Sequence, residues 1–329
     1  MRVFPRAARR RTVVSRVAGI FILAASTYGL VLDAVAQDPE PAFAGAPGAT
    51  AAARGRYLAA AAGCEGCHTD KASHGAPFAG GRAFKTPYGT FYSPNITPDP
   101  AHGIGAWSQT DLVRALRQGI GPKGRHFYPV FPYPAFTLMT TRDMADIYAY
   151  LRSLAPQPRK NRPHDLKFLY TFRSAMFFWN ALYLHKGPMA ADPGHDARWN
   201  RGAYLARALG HCDACHTPRN ALGGKNEAMA YAGTKSNPEG VAVPNITSDH
   251  KTGIGKWSAG DLKMLFQIGM LPDGDFVGGV MAEVVTRETS KLSGPDLDAL
   301  IAYVKSIPAI KNTISKTKKP SADSANSWQ

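Results

Sequence analysis

The four cysteines of this 329-residue chain all fall in two copies of one short phrase, CEGCHT at Cys64 to Thr69 and CDACHT at Cys212 to Thr217. Two thiols three positions apart reach the two vinyl groups of a haem as thioethers, and the adjacent histidine then lies under the iron as its proximal ligand. Cys64, Cys67, Cys212 and Cys215 are therefore expected to hold two covalently attached c-type haems, with His68 and His216 bound to iron. A structural zinc closes four ligands into one tetrahedron, so two distant half-sites would have to meet. A redox dithiol needs only the CxxC pair. The histidine that completes both copies argues against either.

Elements on both sides of each motif repeat as well. Tyr57-Leu58 lies seven residues before Cys64 and Tyr204-Leu205 eight before Cys212, on Ala-rich stretches ending at Gly63 and Gly210; these read as helices stopped by a C-terminal glycine. Downstream, PNITPDPAHGIGAWSQTDL from Pro94 matches PNITSDHKTGIGKWSAGDL from Pro244 at an offset of 150. Ser108 with Asp111, and Ser258 with Asp261, are expected to cap helices that stop at Gly119 and Gly269. Thr140 with Asp143 opens a further helix to about Leu154, and Ser293 with Asp296 its twin to about Ser306. Each half thus reads as helix, CxxCH, long loop, helix, ligand loop, helix: an all-α unit, twice.

The formal charge is +15 and 44% of residues are apolar, enough for one or two cores. The basic stretch MRVFPRAARRRTVVSR, the apolar run Val17 to Leu32 and the small residues Ala34-Val35-Ala36 read as an export signal cut before Gln37. A retained membrane anchor is the alternative, although a spanning helix needs roughly 20 apolar residues. Cleavage removes six arginines and one aspartate, lowering the charge to +10. The Lys-rich end, KNTISKTKKPSADSANSWQ, reads as disordered. No basic reading helix or aromatic stacking strand for nucleic acid is present. Between the halves, Phe168 to Leu184 is dense in aromatics but interrupted by Arg173 and Asn180. It reads as an amphipathic helix packed between domains, with docking on a membrane surface or a partner as the alternative.

The motif order resembles the cytochrome c fold. The phrases AGGRAFKTPYGTFYSPNIT, GIGAWS, YPVFPYPAF and WNRGAYLARALGHCDACHTPRNALGG resemble the multihaem cytochrome c subunits of membrane-bound alcohol and gluconate dehydrogenases, over roughly 51–309. The organisation that follows is an export signal at 1–36, a linker at 37–50, a first cytochrome c domain at 51–156, an aromatic-rich connecting segment at 157–196, a second cytochrome c domain at 197–309 and a disordered tail at 310–329. Subunits of that kind usually carry three haem units, and two are legible here. The resemblance implies single-electron transfer from a periplasmic or membrane-bound dehydrogenase to a cytochrome, an oxidase or a quinone-linked acceptor, in the periplasm at the inner-membrane surface.

A transfer haem takes a second axial ligand, commonly methionine. Met281, seven residues after Gly274 in an apolar Gly-Gly loop, is expected to supply it in the second half; the same count from Gly124 reaches Phe131, which has no lone pair to give. His126, on the same loop, is the first substitute, followed by Met139 and then His102; an open five-coordinate site is the remaining alternative. An open iron opposite His68 would suit a dihaem redox enzyme of the peroxidase or thiosulfate dehydrogenase type. Smaller readings concern Trp107 and Trp257, packing or touching a haem edge, and Arg82, paired with a propionate or solvated. Pro218 is expected to offer its carbonyl to His216 where the first copy has Asp70.

Overall fold

The structure, a computed structural model, describes residues 49–237 and 240–314. The expected export signal, most of the linker and the tail from residue 315 lie outside the described residues.

Capping fixes where the helices begin. Helix α1 (Ala51–Ala61) starts at Thr50, whose hydroxyl accepts from the Ala53 amide, and α2 (Cys64–Cys67) holds the first motif. Helix α3 (Gln109–Gln118) carries the expected reciprocal cap: Ser108 accepts from the Asp111 amide at 3.1 Å and Asp111 accepts from the Ser108 amide at 3.0 Å. A short turn α4 (Tyr133–Phe136) leads to α5 (Thr141–Ser153), capped by Thr140. After α6 (Ala175–Tyr183), α7 (Ala197–Tyr204) runs into a π-helical turn, Leu205–Leu209, and then α8 (Cys212–His216). Helices α9 (Ala259–Ile268), α10 (Gly279–Arg287) and α11 (Gly294–Ser306) complete the order, with the same Ser258–Asp261 box on α9 and Ser293 capping α11. Gly119 and Gly269 end α3 and α9 with φ of 66° and 80°, the left-handed region that glycine enters without strain.

The π turn explains a small mismatch in the repeat. The second copy has one more residue between its tyrosine and its first cysteine, and a wider turn absorbs the insertion without shifting the motif. It also moves the left-handed residue. Gly63 has φ of 65° as expected, but Gly210 stays right-handed at −71° and His211 takes the positive φ of 36°.

Helix α1 crosses α5 at Gly55, where a Cβ would lie 1.8 Å from the Asp146 carbonyl oxygen; α7 crosses α11 at Gly202, where it would lie 2.0 Å from that of Ala299. Beside each glycine an arginine forks onto an aspartate of the crossing helix, Arg54 onto Asp146 at 2.6 and 2.7 Å and Arg201 onto Asp296 at 2.8 Å twice. The buried side chains of both crossings, including Leu58, Met144 and Leu151 with Tyr204, Leu209 and Leu300, belong to one hydrophobic cluster. Two tyrosines lock the halves reciprocally. Tyr57 donates to Asp296 Oδ2 at 2.6 Å and accepts from the Ser293 amide at 3.1 Å, while Tyr204 donates to Asp143 Oδ2 at 2.5 Å and accepts from the Thr140 amide at 3.1 Å. Each therefore finishes the cap of the other half's last helix.

A largely helical fold agrees with the expected all-α class, with one addition. Strands β1 (Ala83–Thr86), β2 (Gly89–Tyr92) and β3 (Asp165–Leu166) form a small antiparallel sheet in that order, with Phe84 opposite Phe91 and Gly89 opposite Leu166. In the second half a bridge between Thr234 and Val243 stands in its place, on a loop shortened by three residues. The alternating Phe and Thr around Pro87 to Gly89 are a hairpin signal.

Candidate haem-binding sites

Cys64 and Cys67 span the single turn α2 with His68 as its C-cap; Cys212, Cys215 and His216 lie on α8. Three-residue spacing on a helical turn puts both thiols of each pair on one side. His68 Nδ1 is 2.7 Å from the Pro94 carbonyl oxygen and His216 Nδ1 is 2.8 Å from that of Pro244. A carbonyl only accepts, so Nδ1 carries the proton and Nε2 keeps its lone pair for a metal. Both rings are half-buried by exposed area, yet surrounded deeply enough that desolvation holds them below the usual imidazole range, against the opposing pull of the carbonyl. A neutral imidazole is the form that ligates iron.

The PNIT phrase of each half is the device that holds this carbonyl. Asn95 and Asn245 are almost fully buried and tie down the chain that leaves the last helix: Asn95 donates to the Gln157 carbonyl at 2.8 Å, Asn245 to that of Ile310 at 2.7 Å. Thr97 and Thr247 each bond the neighbouring asparagine at 2.7 Å. Gly80 and Gly233, at φ of 72° and 78°, donate to the His68 and His216 carbonyls at 2.7 Å. A Cβ on either would fall about 2.4 to 2.6 Å from the proline that receives the histidine. Only glycine fits this cradle. The expected difference at Pro218 is thereby corrected: its carbonyl accepts from the Asn226 amide, and both histidines use the PNIT proline. Ile310 and Asn312 are strapped to this loop too, so the chain expected to be free from 310 is held there.

Burial pushes the Cys64 and Cys212 thiols up to about 12. Redox dithiols need a thiol lowered toward neutrality, so these are poor candidates for one. Among the described residues, no group of three or more His, Cys, Asp or Glu is placed to hold a metal ion by itself. Thiols beside a neutral histidine with a free Nε2, and a glycine cradle behind it, fit covalent haem in both copies.

The segments expected to supply the second ligands differ. Met281 is half-buried against the core, in the first turn of α10 rather than in the loop expected. Val284 and Glu288, at helical spacing from it, line a cavity with Cys212, so Met281 shares the face that α10 turns to the second motif. Phe131 packs in an aromatic cluster with Phe127, Tyr133 and Phe136, ring centroids 5.7 to 6.1 Å away. His126 lies edge-on to Phe177 of α6 at 6.3 Å, and its Nδ1 is buried without a hydrogen-bond partner. Met139 is 0% exposed within the core. His102 sits in a turn, its amide on Asp99 and its carbonyl on Asn161. Arg82 is not solvated: it donates to the Gly66 carbonyl at 2.7 Å and pairs with Glu283 at 2.7 Å. Trp107 stacks near Phe127, and both tryptophan carbonyls accept from the last helix of their half, Trp107 from Tyr148 and Trp257 from Lys305.

Helix α6 bridges the halves on one side, Asn180 to Gln118 and Tyr133, Trp179 to the Leu222 carbonyl. None of its residues is buried, and Phe168, Phe172, Phe177, Phe178 and Leu182 are 53 to 75% exposed. Packing between the halves thus uses its polar and indole groups and leaves most of its phenylalanines outside. No helix of the described residues is long and apolar enough to cross a membrane.

Residues 52–155 match the family described as "Cytochrome c". The chain is 40% identical over 311 residues to the "Diheme cytochrome c-type" protein of Cereibacter sphaeroides, covering 92% of this chain and 100% of that one. It is 36% identical over 316 residues to the "Fructose dehydrogenase cytochrome subunit" of Gluconobacter japonicus, covering 94% of this chain and 61% of the relative. Against the "Alcohol dehydrogenase (quinone), cytochrome c subunit" of Gluconobacter oxydans the identity is 37% over 265 residues, 78% of this chain and 55% of the relative. The chain thus spans little more than half of those two subunits.

Proposed function

Because this chain belongs to the cytochrome c family, we propose that it is an exported dihaem electron-transfer protein built of two tandem cytochrome c units, relaying single electrons from a dehydrogenase partner to a respiratory acceptor in the periplasm. Cys64, Cys67 and His68 hold one haem; Cys212, Cys215 and His216 hold the other, with Met281 as its second axial ligand. The observation that carries the reading is the matched pair of histidines, each with Nδ1 on a proline carbonyl and Nε2 unspent. Haem supplies the one-electron chemistry; the chain's part is to fix the imidazole, shield the site and set its polarity.

His126 is the second ligand of the first haem, supported by its buried, unpartnered Nδ1 on the loop where Phe131 offers no donor. The dehydrogenase docks on the exposed face of α6 and its approach. That surface is rich in phenylalanine and has no acid from Leu166 to Ala191, the composition of a protein interface core, and relatives of this chain are named as dehydrogenase cytochrome subunits.

Spectra and redox titration of the purified holoprotein test the reading. Two haems per chain are expected, one with the ligand field of His and Met and a higher potential than the other. One haem or none would overturn it. His126→Ala should change the spectrum of the lower-potential haem and admit carbon monoxide; an unchanged spectrum would exclude His126.

A further inference from the structure

Glu288 closes α10 at a point between the two attachment motifs. On one side its carboxyl shares a cavity with Cys212, walled by the apolar Ala61, Leu205, Val284 and Leu300. On the other it abuts the backbone just before Cys64, where a Cβ on Gly63 would lie 2.4 Å from Glu288 Oε1. Its Oε2 is buried and accepts no hydrogen bond.

The charged and titratable groups around it are otherwise engaged. Arg82, just before β1, pairs with Glu283 at 2.7 Å, and Arg287 of α10 with Glu65 of α2 at 3.3 Å. From α8, Asp213 pairs with Lys225. The thiols of Cys64 and Cys212 feel the Glu288 charge and become thioethers on haem attachment. Glu288 thus keeps no ion pair. Burial first, and the like charge of Glu283 second, push its carboxyl up to about 8, with Arg82 opposing. A carboxyl that titrates near neutrality in a low-dielectric site responds to any new charge nearby.

We propose that Glu288 is a proton-binding site shared by the two haem units, taking up one proton at Oε2 when an electron enters either unit and releasing it when the electron leaves. The inference rests on the dihaem reading above. The electron comes from the one-electron donor, the proton from solvent; one O–H bond forms, and the added negative charge is neutralised. Reduction raises the affinity of Glu288 for its proton. Between its oxidised-state and reduced-state pKa values, the haem potentials therefore fall as pH rises, and outside that window this residue leaves them flat.

Dithionite and ferricyanide titrations of the full holoprotein at several pH values, with reduced-minus-oxidised infrared spectra, test this. A protonated-carboxyl band is expected to grow on reduction of the wild type. Glu288→Gln should remove that band and flatten the pH dependence of the potentials while two haems per chain remain. Glu283→Gln, at a more exposed position, should move the window to lower pH by removing a like charge. The wild type without the band, a Glu288→Gln protein with two haems and unchanged slopes, or an unmoved window in Glu283→Gln would each overturn the proposal. If Glu288→Gln loads poorly, the other two measurements decide. Fewer than two haems in the wild type would instead overturn the dihaem reading.

Discussion

Residues 129–136 of the first half carry Pro129, Pro132 and Pro134 and fold as one short turn; residues 279–287 of the second carry none and run as a nine-residue helix. Proline removes the amide an α-helix needs and clashes with the preceding turn, so the first loop cannot become the second. On the proximal side the halves are nearly superimposable in logic: the same histidine–proline hydrogen bond, the same glycine cradle, the same asparagine strap. The difference teaches where such a repeat is free to diverge. The histidine side is fixed by backbone geometry that any change would break, whereas the loop proposed to face each iron from the other side can exchange side chains, and with them the proposed ligand.

The comparison can be broken most severely at the cysteines. Cys64→Ala with Cys67→Ala should cut haem content from two per chain to one and leave the spectrum of the second haem in place; retention of both haems would show that the halves are not independent in attachment. Next in size is the distal exchange. Met281→Ala should lower the potential of the second haem and open its iron to carbon monoxide, while Phe131→Met should raise the potential of the first. Equal responses to Met281→Ala in both haems would dissolve the asymmetry.

Smaller effects test the reciprocal tyrosines. Tyr204→Phe strands Asp143, whose carboxyl burial already pushes up, and Tyr57→Phe leaves Asp296 still forked by Arg201. The first should cost about 2–3 kcal/mol in denaturant unfolding and the second about 1 kcal/mol; the reverse order would mean that Arg201 does not support Asp296. The smallest effect is in pH. Burial alone would raise Asp296, but Arg201 and Tyr57 outweigh it and hold it below 3.8. A depressed folded pKa contributes stability above 3.8 that is lost as pH falls through the lower folded value. Asp296→Asn should flatten that acid limb of the melting curve.

Both motifs, the capping pairs of α3, α5, α9 and α11 and the helix stops at Gly119 and Gly269 were legible in the sequence, because each is a local spacing with a local reason. The PNIT repeat was visible without its purpose. Its proline carbonyl meets a histidine 26 residues earlier in one half and 28 in the other, and no local rule pairs them. The hairpin around Pro87 carried a readable signal that the helical repeat overshadowed. Met281 stands in the first turn of α10, because the two glycines that read as a loop in the sequence mark where that helix begins.

The sequence by itself determined that two CxxCH phrases suited to haem attachment stand in the chain, because cysteine and histidine spacing along one turn is covalent geometry. It also determined that residues 129–136 and 279–287 differ, because phenylalanine lacks a lone pair and prolines forbid a helix. Only the tertiary structure decided which carbonyl orients each histidine, how Tyr57 and Tyr204 finish each other's helix caps and that Glu288 lies between the motifs. These contacts join residues 26 to 239 positions apart or elements of opposite halves, and such pairings are fixed by packing of the whole core, which no local spacing rule contains.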